Sequence, residues 1–196
     1  MSNVIVALDF ESTEEVLQFL ERFDKPIFVK IGMELFYNGG AAFLQTIKQQ
    51  GHQIFLDLKL HDIPNTVERA MRILSNLDVD MVNLHAAGGL EMMKAARRGI
   101  GEKAILLAVT QLTSTSEQEM QEEQLVNATL EESVVNYAKL AQEAGCDGVV
   151  CSPLESSIIH KNTNNEFLTV TPGIRLQAKS DDDQVRITTP ALAKEL

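Results

Sequence analysis

Residues 54–66 read IFLDLKLHDIPNT. Ile54, Phe55, Leu56, Leu58 and Leu60 are core residues by type, yet Asp57, Lys59 and Asp62 stand among them. Apolar and charged residues that alternate in this way carry the period of two of a β-strand. Asp57 and Lys59 then share one face, and Leu56, Leu58 and Leu60 take the other. On a half-exposed strand the charged face would simply be solvated. In an all-parallel sheet both faces are covered, and the same charges must line something.

The rest of the chain decides between these. Short apolar, β-branched runs recur at 4–9, 27–31, 53–59, 80–85, 104–110, 147–152 and 167–172. Helical patterns lie between them near 12–23, 40–50, 64–77, 89–98 and 127–144, with a shorter one after Pro153. The polar, acidic segment 113–126 reads as an excursion with a helical turn or two. Strand–helix units in unbroken succession predict an all-parallel sheet. Polar residues gather where the strands end: Asp9, Lys30, Asp57 and Lys59, His85, Thr110 and Thr113, Ser152, then Pro172, Gly173 and Arg175. Chemistry at every strand end is the habit of a (β/α)8 TIM barrel. A doubly wound sheet concentrates it at one switch point after a glycine-rich turn, and the first turn here, DFEST, has no glycine. The prediction is an α/β chain forming one TIM-barrel domain over residues 1–196.

Composition bounds the function. The 196 residues are 44% hydrophobic and 23% charged, with a net charge of −11. That sign argues against nucleic acid or an anionic membrane as partner. No apolar run reaches the ~18 residues of a membrane span. The start, MSNVIVALDF, enters a strand at once, without the basic region of a signal peptide. Cys146 and Cys151 lack partners at metal spacing, which suits reduced thiols in cytosol.

Each charge also has a plainer reading. Asp57 with one lysine could be a structural ion pair, but two inward lysines, Lys30 and Lys59, with two or three aspartates are an expensive cluster for a fold to keep without use. Asp62 reads as the N-cap of the helix starting at Pro64, and Thr66 as a first-turn residue. His61 and His85 are weak signals, while His52 and His160 look exposed. Asp181, Asp182 and Asp183 suit a solvated loop. TVTPGIR (169–175) follows the seventh strand, where barrels bind phosphate on backbone amides and a nearby cation. Arg175 suits that role, and Pro172 with Gly173 forms a turn that lets backbone approach a ligand.

Taken together, these blocks resemble the orotidine 5′-phosphate decarboxylase family. Asp57-Leu-Lys59-Leu-His-Asp62-Ile-Pro-Asn-Thr66 is similar to its D-x-K-x-x-D signature and the IPNT that follows. ALDF, FVKIGMELF, NLHAAGG, AVTQLTS, GVVCSP and VTPGIR resemble its other blocks in order, and the resemblance spans essentially the whole chain. It implies cofactor-free, metal-free decarboxylation of orotidine 5′-monophosphate (OMP) to UMP. Lys59 would stabilise and protonate the C6 carbanion, Asp57 would crowd the leaving carboxylate and hold Lys59, and Lys30 would hold the aspartates and a ribose hydroxyl. Asp9 would bind ribose, Thr113 the pyrimidine, and Arg175 with Gln184 the phosphate, with Pro172 among the substrate-binding residues. The resemblance also implies a homodimer in which Asp62, Ile63 and Thr66 enter the partner's site, and a mobile loop at 176–183. An eighth strand and a Gly-Arg-Pro phosphate segment are absent up to Leu196, so the natural chain is expected to continue for roughly 30–40 residues. Metal-dependent sugar-phosphate decarboxylases and synthases share D-x-K-x-x-D but place a glutamate ligand on strand two, where this chain has Lys30. A non-catalytic barrel, kept as a binding scaffold after losing its last strand, is the reading from another class; against it, no catalytic position present in the chain has decayed.

Overall fold

The computed structural model describes residues 4–175 and 188–195. The chain forms two compact units. One comprises the residues up to Leu84 with Ala95–Leu106, the other His85–Lys94 with the residues from Leu107 on.

In the first unit, β1 (Ile5–Ala7), α1 (Thr13–Leu20), β2 (Phe28–Gly32), α2 (Met33–Gln49), β3 (Gln53–Leu60), α3 (Pro64–Leu74) and β4 (Met81–His85, its last residue in the second unit) follow one another. The strands pair parallel in chain order, β1 to β2 to β3 to β4. That order never reverses, as a doubly wound sheet would require. Burial on both faces explains the near-continuous apolar runs: Val29, Ile31, Ile54, Leu56 and Val82 are fully buried, and Phe28 and Phe55 nearly so. Each such side chain contributes roughly 1.5–3 kcal/mol. Lys30 and Asp57 interrupt these runs in adjacent strands, with Gly32 in register with Asp57.

Two boundaries differ from the sequence reading. A helical segment from Met33, directly after β2, precedes the one the sequence reading placed near 40–50. Gly40 (φ 58°, ψ −158°) is non-helical and divides α2 into two helical segments. Gly39 is needed for packing, because a Cβ there would lie 2.8 Å from Thr13 Cγ2 of α1. The N-cap of α3 is Ile63, not Asp62. The Asp62 carboxylate instead accepts the adjacent Ile63 N–H at 2.6 Å.

The second unit carries most of β5 (Ile105–Val109), then α5 (Glu117–Glu122), α6 (Leu130–Glu143), β6 (Gly148–Val150), α7 (Ser156–Asn162), β7 (Leu168–Val170) and α8 (Pro190–Glu195). Between β4 and β5, α4 (Leu90–Ile100) passes from this unit back into the first. β5, β6 and β7 again pair parallel in chain order. Capping boxes at Ser116/Glu119 and Thr129/Glu132 start α5 and α6. The Ser116 and Thr129 backbone amides, then their hydroxyls, lower the pKa of Glu119 and Glu132. The acidic excursion thus holds one short helix, as its composition suggests. Beyond β7, Ile174 bridges Thr188, with Gly173 at φ 82° making the turn that a side chain would strain.

Candidate active site

The site grows from the end of β3. Leu56 is in register with Val82 of β4, and the next pair is Leu60 with Leu84. β3 therefore advances four residues while β4 advances two, which is a bulge. Within it Lys59 has φ 49°, a left-handed conformation that costs a non-glycine residue about 1–2 kcal/mol. The regular alternation predicted for 53–59 stops here. Leu56 is fully buried, while Leu58 and Leu60 are half-buried instead of packing away as a complete outward face.

The charges meet at this bulge. Lys59 Nζ lies 2.7 Å from Asp57 Oδ1, and Lys30 Nζ lies 3.7 Å from Asp57 Oδ2 and 3.3 Å from Asp9 Oδ1. Carboxylate and ammonium alternate from Asp9 through Lys30 and Asp57 to Lys59. Asp57 is mostly covered, with its side chain 10% exposed, but Lys59 keeps 28% of its own exposed. The Lys59 ammonium is thus held by a nearly buried carboxylate, on a side chain that stays partly exposed. Such a group can balance negative charge developing on a bound molecule and can pass a proton to it. Lys30, on β2, thus stands between the carboxylates of Asp9 and Asp57.

The other predicted residues lie as follows. Asp62, Ile63 and Thr66 are exposed in the first unit, Ile63 to 66% despite being a large apolar residue. Thr113 is half-buried in the loop after β5, Pro172 is half-buried after β7, and Arg175 is exposed; these three belong to the second unit. The Arg175 N–H donates to the Thr188 carbonyl at 2.9 Å. Gln184, the loop 176–183 and its aspartates lie outside the described residues.

Two expectations are corrected and one residue was overlooked. His52 is buried, not exposed, because its Nδ1 accepts the Ile27 N–H at 3.0 Å beneath β2 and β3. Burial holds its pKa below the ordinary 6.5. His160 is half-buried, its Nε2 3.1 Å from the Phe167 carbonyl. The overlooked residue is Asn83 of β4, 1% exposed and within hydrogen-bonding distance of both Asp57 and Lys59. Its signal was present in MVNLH: an uncharged polar side chain in the middle of a strand buried on both faces needs partners.

Comparison with known proteins converges on one family. The sequence matches the family described as "Orotidine 5′-phosphate decarboxylase / HUMPS family" over residues 2–196. Proteins named orotidine 5′-phosphate decarboxylase from Staphylococcus haemolyticus and Staphylococcus aureus are 59% and 56% identical over 195 residues, 98% of this chain and 85% of each relative. The crystal structure of orotidine 5′-phosphate decarboxylase from Lactobacillus acidophilus superposes with a TM-score of 0.87 at 43% identity, covering 98% of this chain and 85% of that one. An uncharacterized conserved protein from Geobacillus kaustophilus gives 0.83 at 50% identity, covering 86% and 82%. The fold is of the (β/α)8 TIM-barrel class, with seven of its strands among the described residues. The chain belongs to the orotidine 5′-phosphate decarboxylase / HUMPS family.

Proposed function

We propose that this protein decarboxylates OMP to UMP and CO2, using its own side chains without metal or cofactor, with Lys59 as the group that meets the reacting carbon. The observation that carries this reading is the Lys59–Asp57 contact of 2.7 Å at the bulged end of β3, with the Lys59 side chain partly exposed. Breaking the bond from C6 to the carboxylate leaves an electron pair in the plane of the pyrimidine, where the ring π-system cannot accept it. A fixed ammonium beside C6 lowers the energy of that carbanion more than that of the substrate, which is the condition for catalysis. Lys59 Nζ then donates its proton to C6, completing UMP, and regains one from solvent. Asp57 aims the ammonium and places negative charge beside the departing carboxylate. Lys30 holds Asp57 and Asp9 and reaches the ribose, which Asp9 also binds. Thr113 contacts the pyrimidine, Arg175 and Gln184 take the phosphate, and the turn at Pro172 and Gly173 lets backbone approach the ligand.

The same reading makes the working form a cytoplasmic homodimer. Asp62, Ile63 and Thr66 stand exposed at the start of α3, and an apolar residue as bare as Ile63 is suited to burial against a second copy. Mixing inactive Lys59→Ala with inactive Asp62→Ala should then restore some activity, because exchanged dimers contain one intact site. Absence of complementation despite demonstrated subunit exchange would assign Asp62 to its own subunit.

The metal-dependent activities within the same family are the competing reading. The decisive experiment follows the absorbance of OMP with purified protein, with and without EDTA. Turnover unchanged by the chelator is expected. No turnover, or turnover that EDTA removes and Mg²⁺ restores, would overturn the proposal.

A further inference from the structure

Asn83 occupies the position in β4 where the ladder to β3 fails. Its two neighbours pair normally, Val82 with Leu56 and Leu84 with Leu60, so Asn83 alone faces Asp57, Leu58 and Lys59. Its side-chain amide spans the gap. Oδ1 accepts the Lys59 backbone N–H at 2.8 Å, and Nδ2 donates to Asp57 Oδ1 at 2.6 Å. Chemistry fixes the amide's orientation, since a backbone N–H can only donate and a carboxylate can only accept.

We infer that Asn83 is a positioning residue for the decarboxylation, clamping the Lys59 backbone and the Asp57 carboxylate so that the ammonium is aimed before substrate arrives. This rests on the reading of Lys59 and Asp57 given above. Lys59 is held in a left-handed conformation that its side chain disfavours, and the amide bond from Asn83 opposes relaxation of that backbone. The same Asp57 oxygen takes both Asn83 Nδ2 and Lys59 Nζ, so the carboxylate is located from one side while it locates the lysine from the other. Aspartate would fit the space but present acceptor to acceptor at Asp57. Leucine, similar in size but apolar, would leave both the Lys59 N–H and an Asp57 lone pair unmatched.

The test compares wild type, Asn83→Ala and Asn83→Asp in OMP turnover and thermal stability, with backbone amide exchange read at Lys59 and Ile54. Asn83→Ala should lower kcat by about 10- to 100-fold with KM within threefold, because a small loss of aim costs that much. The Lys59 amide should lose protection while that of Ile54, held by Asp80, keeps it. Asn83→Asp retains size and the acceptor for Lys59, so it remains a folded probe if the alanine variant does not fold. Its activity relative to wild type should rise as pH falls, when the new carboxyl gains a proton and can again donate to Asp57. A kcat for Asn83→Ala within threefold of wild type would overturn the inference. So would unchanged Lys59 exchange, or an Asn83→Asp deficit independent of pH. Inactive wild type would instead contradict the decarboxylase reading, and the exchange at Lys59 would still decide whether the clamp exists.

Discussion

Two lysine–aspartate pairs in the first unit have nearly the same length and opposite meanings. Near the beginnings of β3 and β4, Lys48 Nζ lies 2.8 Å from Asp80 Oδ2, and that same oxygen accepts the Ile54 N–H at 2.7 Å. Near their ends, Lys59 Nζ lies 2.7 Å from Asp57, whose further partners are the side chains of Asn83 and Lys30. Asp80 satisfies a backbone amide that the sheet leaves over, so its charge is consumed in holding strands together. Among the described residues the Asp57 carboxylate holds only side chains, and those it holds include two ammonium groups. Pair distance therefore does not separate a structural aspartate from one proposed to act on substrate. What the carboxylate is tied to does.

The largest expected effect separates the two lysines. Lys59→Ala should abolish OMP turnover without unfolding the protein, whereas Lys48→Ala should leave kcat within about threefold. Turnover of Lys59→Ala within tenfold of wild type would remove the distinction. The two aspartates should differ next: Asp57→Asn should damage turnover far more than UMP binding. Asp80→Ala should cost about 1–3 kcal/mol of stability by stripping the Ile54 amide of its partner, with kcat little changed. Denaturant unfolding and steady-state kinetics on both variants check this, and equal effects on stability would defeat the contrast.

Smaller consequences follow. Arg175→Ala should weaken UMP binding by titration calorimetry while leaving uridine binding nearly unchanged, since only the nucleotide carries phosphate; equal losses would place Arg175 elsewhere. The smallest effect lies at His52. Its folded-state pKa is below the ordinary 6.5, so at intermediate pH the unfolded chain takes a proton that the folded chain refuses. The stability it contributes is complete above about pH 6.5 and is lost as pH falls through the lowered value. Melting temperatures across that window should fall less steeply for His52→Gln, and identical slopes would show that His52 does not titrate against folding.

Much of this was legible in the sequence because strand chemistry repeats. The apolar runs marked the seven strands, and the charges at their ends distinguished a barrel from a doubly wound sheet. Asp57, Lys59 and Lys30 could be assigned to a common cluster from their strand positions alone. The bulge could not be read, because residues 57 and 59 lie on the same side of a regular strand as well. Asn83 was hidden for a related reason: its importance depends on which residues of β3 lack ladder partners, a matter of register between strands. The helical segment from Met33 to the break at Gly40 was missed because it follows β2 with no intervening loop. His52 seemed exposed beside Gly51 and Gln53 because only the fold brings the Ile27 amide to its ring.

The central claim is that Lys59 stabilises negative charge at C6, and exchange of the C6 hydrogen of UMP with solvent tests it most directly. The proton placed on C6 at the end of the reaction must be removable by the reverse step. In D2O the wild-type protein is expected to introduce deuterium at C6 of UMP, read by proton NMR, and Lys59→Ala is expected to leave C6 unlabelled. Labelling by Lys59→Ala at the wild-type rate, or none by a wild type that turns over OMP, would contradict the account.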